Sequence, residues 1–343
     1  MDQGKAGADK APPHLQLIEM ARAHWLSRIA YVAAKLDIAD HLAQGPRTAA
    51  ELATVTKTHA PSLYRLLRTL AGLGILAEND RQQFSLTPVG EALKTGAPGA
   101  AKATILTMAS DWWVSAFQQL LYSVETGKSG FEKYFGMPVF DWLAQNPEQA
   151  SLFSETMIGV HGMEPAAVAA SYDFARFGTI VDVGGATGHL LTTILLQHAG
   201  PRGILYDLPH VVRDAPALIA ARGLADRVSI SSGSFFDAVP TGGDAYLLSH
   251  VIHDWSEDQC MTILGNCRRA MGAGARLLLI EMVLPDDNRF HPGQIIDLMM
   301  LVGPGGQERT VAEYRQLFDK AGFRMTNVVA TASPASVIEA VIA

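Results

Sequence analysis

The stretch from Thr179 to Leu190 constrains this chain most. The apolar run Ile180, Val181, Asp182, Val183 gives way at once to Gly184, Gly185, Ala186, Thr187 and Gly188. It reads as a buried strand entering a glycine-dense turn, with a helix over residues 189–198. Glycines let a backbone approach a ligand that a Cβ would block, and the helix aims its positive N-terminus at the same place. A nucleotide-like cofactor is expected there. The dinucleotide fingerprint needs glycines at its first, third and sixth positions; counted from Gly184 these are Gly184, Ala186 and His189, so NAD is disfavoured. Asp182, two before the first glycine, and Asp207, closing the next apolar run, fit a nucleoside with a charged amino-acid tail. Asp207 would accept from both ribose hydroxyls.

Beyond Phe174 strands and helices alternate regularly. Strands are expected at 180–183, 203–207, 228–232, 245–249 and 276–282, with an edge pair at 323–330 and 336–342, which gives an α/β parallel sheet with helices on both faces. Ahead of it, residues 15–42 are helical in period, with Leu17, Ile18, Ala21, Trp25, Ile29, Val32, Ala33 and Leu36 recurring at three and four. So apolar an end suits burial against a partner subunit. Thr48 and Glu51 form a capping box for 49–54, Ser62 can cap 63–72, and 75–78 with 83–86 read as a two-stranded wing. This is a winged helix-turn-helix whose second helix offers only Arg65 and Arg68. Residues 1–100 carry 11 Lys+Arg against 9 Asp+Glu, and the remainder 16 against 25. Neither part is a basic nucleic-acid surface, so packing or dimerisation is the expected role and no nucleic-acid partner is expected.

Residues 96–172 read as mostly helical and aromatic, with Trp112, Trp113, Phe117, Phe131, Tyr134, Phe135, Phe140, Trp142 and Phe153, and with breaks at 127–130, 136–138 and 146–147. Most of these rings are expected in a core, and Met157 and Met163 could line a flat apolar pocket. At 343 residues more than one core is expected. We divide the chain into a disordered tail (1–13), a winged-helix dimerisation domain (14–100), a helical linker and substrate-pocket region (101–172) and a Rossmann-like catalytic domain (173–343). Cys260 and Cys267, seven apart in one helix and so about 10 Å apart along it, cannot bridge. With no long apolar run and no signal core, a cytoplasmic protein without membrane contact is expected.

Polar residues interrupt the apolar runs at several strand ends, where open α/β sheets bind ligands. Gly233, Ser234, Phe235 and Phe236 follow the third strand; Ser249, His250, His253 and Asp254 close the fourth; Glu281 lies in the fifth; Glu308 precedes a helix capped by Thr310. Period-two alternation puts His250 on the side opposite His253. No His, Cys or carboxylate group has metal-ligand spacing, so no metal is expected.

The runs VDVGGATGHL, YDLPHVV, GSFF, LLSHVIHDWSEDQC, LLIEMVLP, DLMMLV and GGQERT resemble the successive signatures of the S-adenosylmethionine-dependent small-molecule O-methyltransferases. That family includes plant caffeic acid, flavonoid and hydroxyindole enzymes and bacterial antibiotic-tailoring relatives. The resemblance spans nearly the whole chain. It implies a Rossmann-like methyltransferase sheet, S-adenosylmethionine as methyl donor with S-adenosylhomocysteine as product, and a homodimer whose N-terminal segments interlock near the partner's active site. Carried over, Gly184, Gly185 and Asp182 face the methionine part of the cofactor, Asp207 its ribose, and Ser234 and Phe235 its adenine; Ser249 stands where plant members often have Lys. His253 matches the general base and Glu281 and Glu308 the acids flanking it. Asp254, Met157, Met299, Gly303 and Trp113 fall at substrate positions. Ala186 replaces the family's middle glycine and Ser234 its adenine-side carboxylate, while Gly303 replaces a polar residue that orients plant substrates.

The chemistry agrees with these roles. A sulfonium is already a strong electrophile, so the enzyme has to align a nucleophile and remove its proton. A phenol near pKa 10 and a histidine near 6.5 differ by about 3.5 units, roughly 5 kcal/mol, and carboxylates beside the imidazole narrow that gap. The reading is O-methylation of a hydroxyl on an aromatic small molecule, phenolic or polyketide-like, in specialised metabolism. Two alternatives stand beside it. One is N-methylation of a heteroaromatic such as a phenazine, which needs no base; the other is a ligand-sensing winged-helix regulator, which needs DNA affinity with a steep salt dependence.

Overall fold

The computed structural model describes residues 12–287 and 289–343, so the expected tail falls almost wholly outside the described residues. The chain forms two compact units. One holds the described residues up to Val114 with Asn146–Val160; the other holds Ser115–Gln145 and His161–Ala343. The expected linker at 101–172 is therefore not a body of its own, because its helices are shared between the two cores. Among the described residues no helix is long and apolar enough to cross a membrane.

In the first unit a 23-residue helix, Pro13–Lys35, is followed by a short one, Ile38–Leu42. The single helix expected over 15–42 breaks at Asp37, which adopts φ +52°. Thr48 and Glu51 make the expected capping box for Ala49–Thr56. The next helix, Ala60–Gly72, starts earlier than expected because Pro61 supplies a preorganised first turn, with His59 rather than Ser62 at its N-cap. Leu63, Leu67 and Leu70 recur on its buried face and close a small core with Ile38, Leu42, Leu52 and Phe84. Strands β1 (Arg47–Thr48), β2 (Leu76–Glu78) and β3 (Gln83–Leu86) form an antiparallel sheet ordered β1-β3-β2, so the expected wing gains a third strand.

The second unit is built on β4 (Thr179–Val183), β5 (Arg202–Asp207), β6 (Val228–Ser232), β7 (Ala245–Ser249) and β8 (Arg276–Leu284). β9 (Arg309–Thr310), β10 (Phe323–Ala330) and β11 (Ala335–Ile342) complete it. The order is β10-β11-β8-β7-β4-β5-β6, with β9 beside β8; β10 and β11 are the antiparallel edge, and β4 to β9 pair in parallel. Alternate residues serve two cores. Val181, Val183, Tyr246, Leu248, Leu277 and Leu279 face the helices Glu257–Ala270 and Val311–Ala321, whereas Ile180, Ala245, Leu247, Leu278 and Ile280 face His189–Gln197. Burial on both faces is why these strands are continuous apolar runs. Cys260 and Cys267 lie buried and unbridged in the helix Glu257–Ala270. The order reverses between β4 and β7, so their carboxyl ends flank the crevice where such sheets take ligands.

Candidate active site

At the end of β4, Gly184 turns the chain at φ +73° and Gly185 follows with no room for a side chain. A methyl built on Gly185 overlaps the Asp182 carboxylate and lies 2.6 Å from Leu205 Cδ1. Ala186 adopts φ +49° in spite of its Cβ, and its N–H donates to Asp207 Oδ2 at 2.9 Å while the Leu208 N–H donates to Oδ1 at 2.7 Å. Asp207 is thus fixed at the end of β5, with a lone pair left on each oxygen for a ribose hydroxyl. Burial raises its carboxyl above the usual range against those two donors. Asp182 is 1% exposed and lies beneath the turn. The Leu191 N–H is near but outside hydrogen-bond geometry, and burial with the charge of Asp207 pushes the Asp182 carboxyl up to about 7. It supports the turn from behind.

After β6, Ser234 Oγ accepts from the Phe236 N–H at 3.2 Å and so closes its own turn. The Phe235 carbonyl accepts from Asn266 Nδ2 at 2.7 Å, and its ring edge would be 3.4 Å from a methyl on Gly184, beside the glycine turn. Half-buried Ser249 ends β7.

Register brings the acid–base residues together. Ser249 pairs with Ile280, so the next residue of β8, Glu281, lies beside the segment leaving β7. That segment turns through a short 3₁₀ helix, Ile252–Asp254, whose Ile252 N–H donates to Glu281 Oε1 at 2.9 Å. His253 Nδ1 lies 2.8 Å from Glu308 Oε1 and 3.4 Å from Glu281 Oε2, and Nε2 lies 3.6 Å from Asp254 Oδ1. His253, Glu308 and Glu281 are 9%, 3% and 0% exposed. Burial alone would lower the imidazole; the charges of Glu281, Asp254 and Glu308 override it and carry His253 up to about 10. Burial likewise pushes Glu281 up to about 7 and Asp254 to about 6.

Two residues that hold this geometry escaped the sequence reading. The Glu308 N–H donates to Asp297 Oδ1 at 2.8 Å. Gly306 passes so close that a methyl on it overlaps the His253 carbonyl oxygen and lies 2.6 Å from the Asp254 carbonyl carbon, while the Gln307 N–H donates to that same oxygen at 2.9 Å. The glycine pair 305–306 was the signal. Gly303, also buried, ends the helix Gly293–Val302 that carries half-buried Met299, and its carbonyl accepts from Ser129 Oγ at 2.6 Å. Trp113 and Met157 belong to the other unit, both half-buried, on Asp111–Phe117 and Pro147–Val160.

His250 corrects the period-two expectation. β7 ends at Ser249 and His250 takes φ +51°, so alternation no longer applies and its ring centroid lies 5.2 Å from that of His253. His250 Nε2 is 2.6 Å from Glu164 Oε1. Burial lowers His250 to about 4; Glu164, which burial would raise, is held at about 2 by its bonds to His161 and His250.

Residues 117–324 match the O-methyltransferase domain and residues 18–96 the O-methyltransferase dimerisation domain. The chain belongs to the O-methyltransferase family. Phenazine O-methyltransferase PhzM of Lysobacter antibioticus is 40% identical over 99% of this chain and 98% of its own. The crystal structure of LaPhzM superposes with a TM-score of 0.91 at 39% identity, covering 97% of this chain and 100% of that one. NcsB1 from neocarzinostatin biosynthesis, solved with S-adenosylmethionine and 2-hydroxy-5-methyl naphthoic acid, gives 0.83 at 32% identity over 93% and 96% of the two chains. O-methyltransferases of this family use S-adenosylmethionine. The side-chain-free cradle at Gly184 and Gly185, with Asp207 presented at the end of the next strand, suits that molecule.

Proposed function

We propose that this O-methyltransferase is a homodimer that methylates a hydroxyl of an aromatic small molecule, phenolic or polyketide-like, with His253 as proton acceptor. The observation that carries the reading is the anchoring of buried His253 Nδ1 between the buried carboxylates of Glu308 and Glu281, which leaves Nε2 for the acceptor. S-adenosylmethionine supplies an electrophilic methyl group. Asp207 and the backbone of Gly184 and Gly185 hold it, with Phe235 beside the turn and Ser234 and Ser249 at the neighbouring strand ends. Within the second unit, Met299, Gly303 and Asp254 form the acceptor side. His253 Nε2 takes the hydroxyl proton, and Glu281 and Glu308 orient the ring and stabilise the imidazolium.

The proton inventory favours an acidic acceptor. With its pKa near 10, His253 is mostly imidazolium at neutral pH. A hydroxyl acidified by a fused or electron-poor ring can arrive as the anion and pair with that cation. Hydroxylated phenazines, with an electron-poor fused ring, are of this kind.

A labelled-methyl transfer screen over hydroxyphenazines, hydroxybenzoates, hydroxynaphthoates and simple phenols tests the proposal. Turnover concentrated in one aromatic class is expected, with His253→Ala slowing it by roughly 10² to 10⁴ while cofactor binding is kept. Full activity of that variant on an ordinary phenol sinks the base assignment. A rate independent of pH with label on nitrogen turns the reading to N-methylation.

A further inference from the structure

We propose that His161, Glu164 and His250 form a binding site for one divalent transition-metal ion of the zinc class. The proposed methyl transfer gives these three residues no task. His161 and Glu164 lie on the turn that opens the helix Glu164–Ser171, where the Glu164 N–H donates to the His161 carbonyl at 2.8 Å, so their side chains share a face. His250 arrives from the end of β7, held at φ +51° with its N–H on the Ile280 carbonyl at 3.0 Å. A left-handed backbone at a residue with a side chain is strained, and surrounding structure must enforce it.

Glu164 Oε1 lies 2.6 Å from His250 Nε2 and Oε2 lies 3.6 Å from His161 Nδ1, with the two ring centroids 4.1 Å apart. One donor atom from each of the three falls within 4.8 Å of the others. Glu164 is 8% exposed, and its ion partners among the described residues are these two imidazoles, with no Lys or Arg. Burying a carboxylate without a fixed cation is costly, and a metal ion removes that cost.

Two imidazoles and a carboxylate are the donor set of a three-ligand zinc site with an open fourth position. Ligand atoms about 2.0–2.2 Å from the ion stand roughly 3.4 Å from one another. Glu164 offers Oε1 to His250 at 2.6 Å and Oε2 to His161 at 3.6 Å, so a small adjustment of the carboxylate brings the donors to that spacing; the ion replaces the hydrogen bond between Glu164 and His250 Nε2, and the one proton of the neutral imidazole sits on Nδ1. Nitrogen donors select zinc, cobalt or nickel over magnesium and calcium. The far nitrogen of His250, Nδ1, lies 3.9 Å from buried Glu281 Oε2, beyond hydrogen-bond reach but on the side from which an outer carboxylate commonly orients a ligand imidazole.

The test is calorimetric titration of the full-length chelator-stripped protein with Zn²⁺, together with visible spectra after loading with Co²⁺. About one ion per chain and the bands of a four-coordinate cobalt site are expected. His161→Ala and Glu164→Gln should each weaken binding at least tenfold, about the lower end seen for loss of an outer partner. His161 is part-exposed, so its truncation leaves a folded protein, and a thermal melt verifies this where Glu164→Gln misfolds. His253→Ala should bind the ion as wild type does. No ion in the wild-type protein, binding unchanged in His161→Ala, or loss of the ion in His253→Ala overturns the proposal.

Discussion

His253 carries a charge problem that fixes how its rate must depend on pH. Three carboxylates face one imidazole in a site with little water, and the imidazole is raised to about 10. For an acceptor that binds as the neutral hydroxyl, the form that accepts a proton is therefore scarce at pH 7 and grows as pH rises, so the acid limb of kcat/KM should lie near 10 rather than near the ordinary 6.5, whereas for one that binds as the anion the imidazolium is the working form and the rate should fall through that pH. Glu308→Gln keeps a hydrogen-bond acceptor but removes a negative charge, which lowers the pKa and moves the limb to lower pH by a unit or more. A wild-type limb at 6.5, or one that stays put in Glu308→Gln, contradicts this account. The two acids of the cofactor crevice should separate equally cleanly. Asp207 points its lone pairs outward and Asp182 supports the turn from beneath, with a carboxyl near 7 that Asn imitates in its neutral form. Calorimetry with S-adenosylmethionine should show Asp207→Ala weakened about 10- to 100-fold, the loss of hydrogen bonds to a charged group, and Asp182→Asn changed only a few-fold. Equal losses would mean that Asp182 touches the cofactor after all.

At the scale of elements, the active geometry depends on one loop passing another at the closest distance a backbone allows. Gly306 lies against the His253 carbonyl, Gln307 bonds to it, and Glu308 then reaches the imidazole. Gly306→Ala pushes the two segments apart, and a displacement near 1 Å is expected to lower kcat about 10²-fold. Affinity for S-adenosylmethionine should survive, because the glycine turn belongs to β4 and not to this loop. Unchanged kcat would show that the contact is slack. The expected strands lie within two residues of the observed ones, most plainly where burial on both faces leaves uninterrupted apolar runs, whereas the two-residue β1 and β9 were missed; Thr48 announced its helix through the Glu three positions on, and Thr310 as a cap. Left-handed residues left no such mark. Asp37 breaks a helix and His250 ends an alternation, yet neither is a glycine that would have signalled a turn. Aromatic spacing over 101–172 foretold burial but not which core would take each ring, which is why that segment divides between two units.

At the scale of the whole molecule, the N-terminal helix is where assembly can be tested. Only Ala33 and Ala34 of Pro13–Lys35 are buried, whereas Leu17, Met20, Trp25 and Leu26 are each more than half exposed. A helix that exposes large apolar side chains on several sides is a poor solvent boundary, and residues 18–96 match a dimerisation domain. Burying one such side chain is worth roughly 1.5–3 kcal/mol, and a symmetric interface buries each twice. Light scattering should therefore give a mass near 74 kDa, twice the 36.8 kDa of one chain. The double substitution Leu17→Glu with Trp25→Glu should shift it towards the monomer, since two charges would be buried per protomer without partners. A monomeric wild type, or a variant still dimeric at the same concentration, would mean that this face does not carry the dimer. The same variant separates assembly from cofactor chemistry, because Asp207 and the glycine turn lie in the other unit. If S-adenosylmethionine affinity holds while turnover falls, the dimer is needed to complete the acceptor side. If both hold, each protomer works alone and the apolar helix serves assembly only.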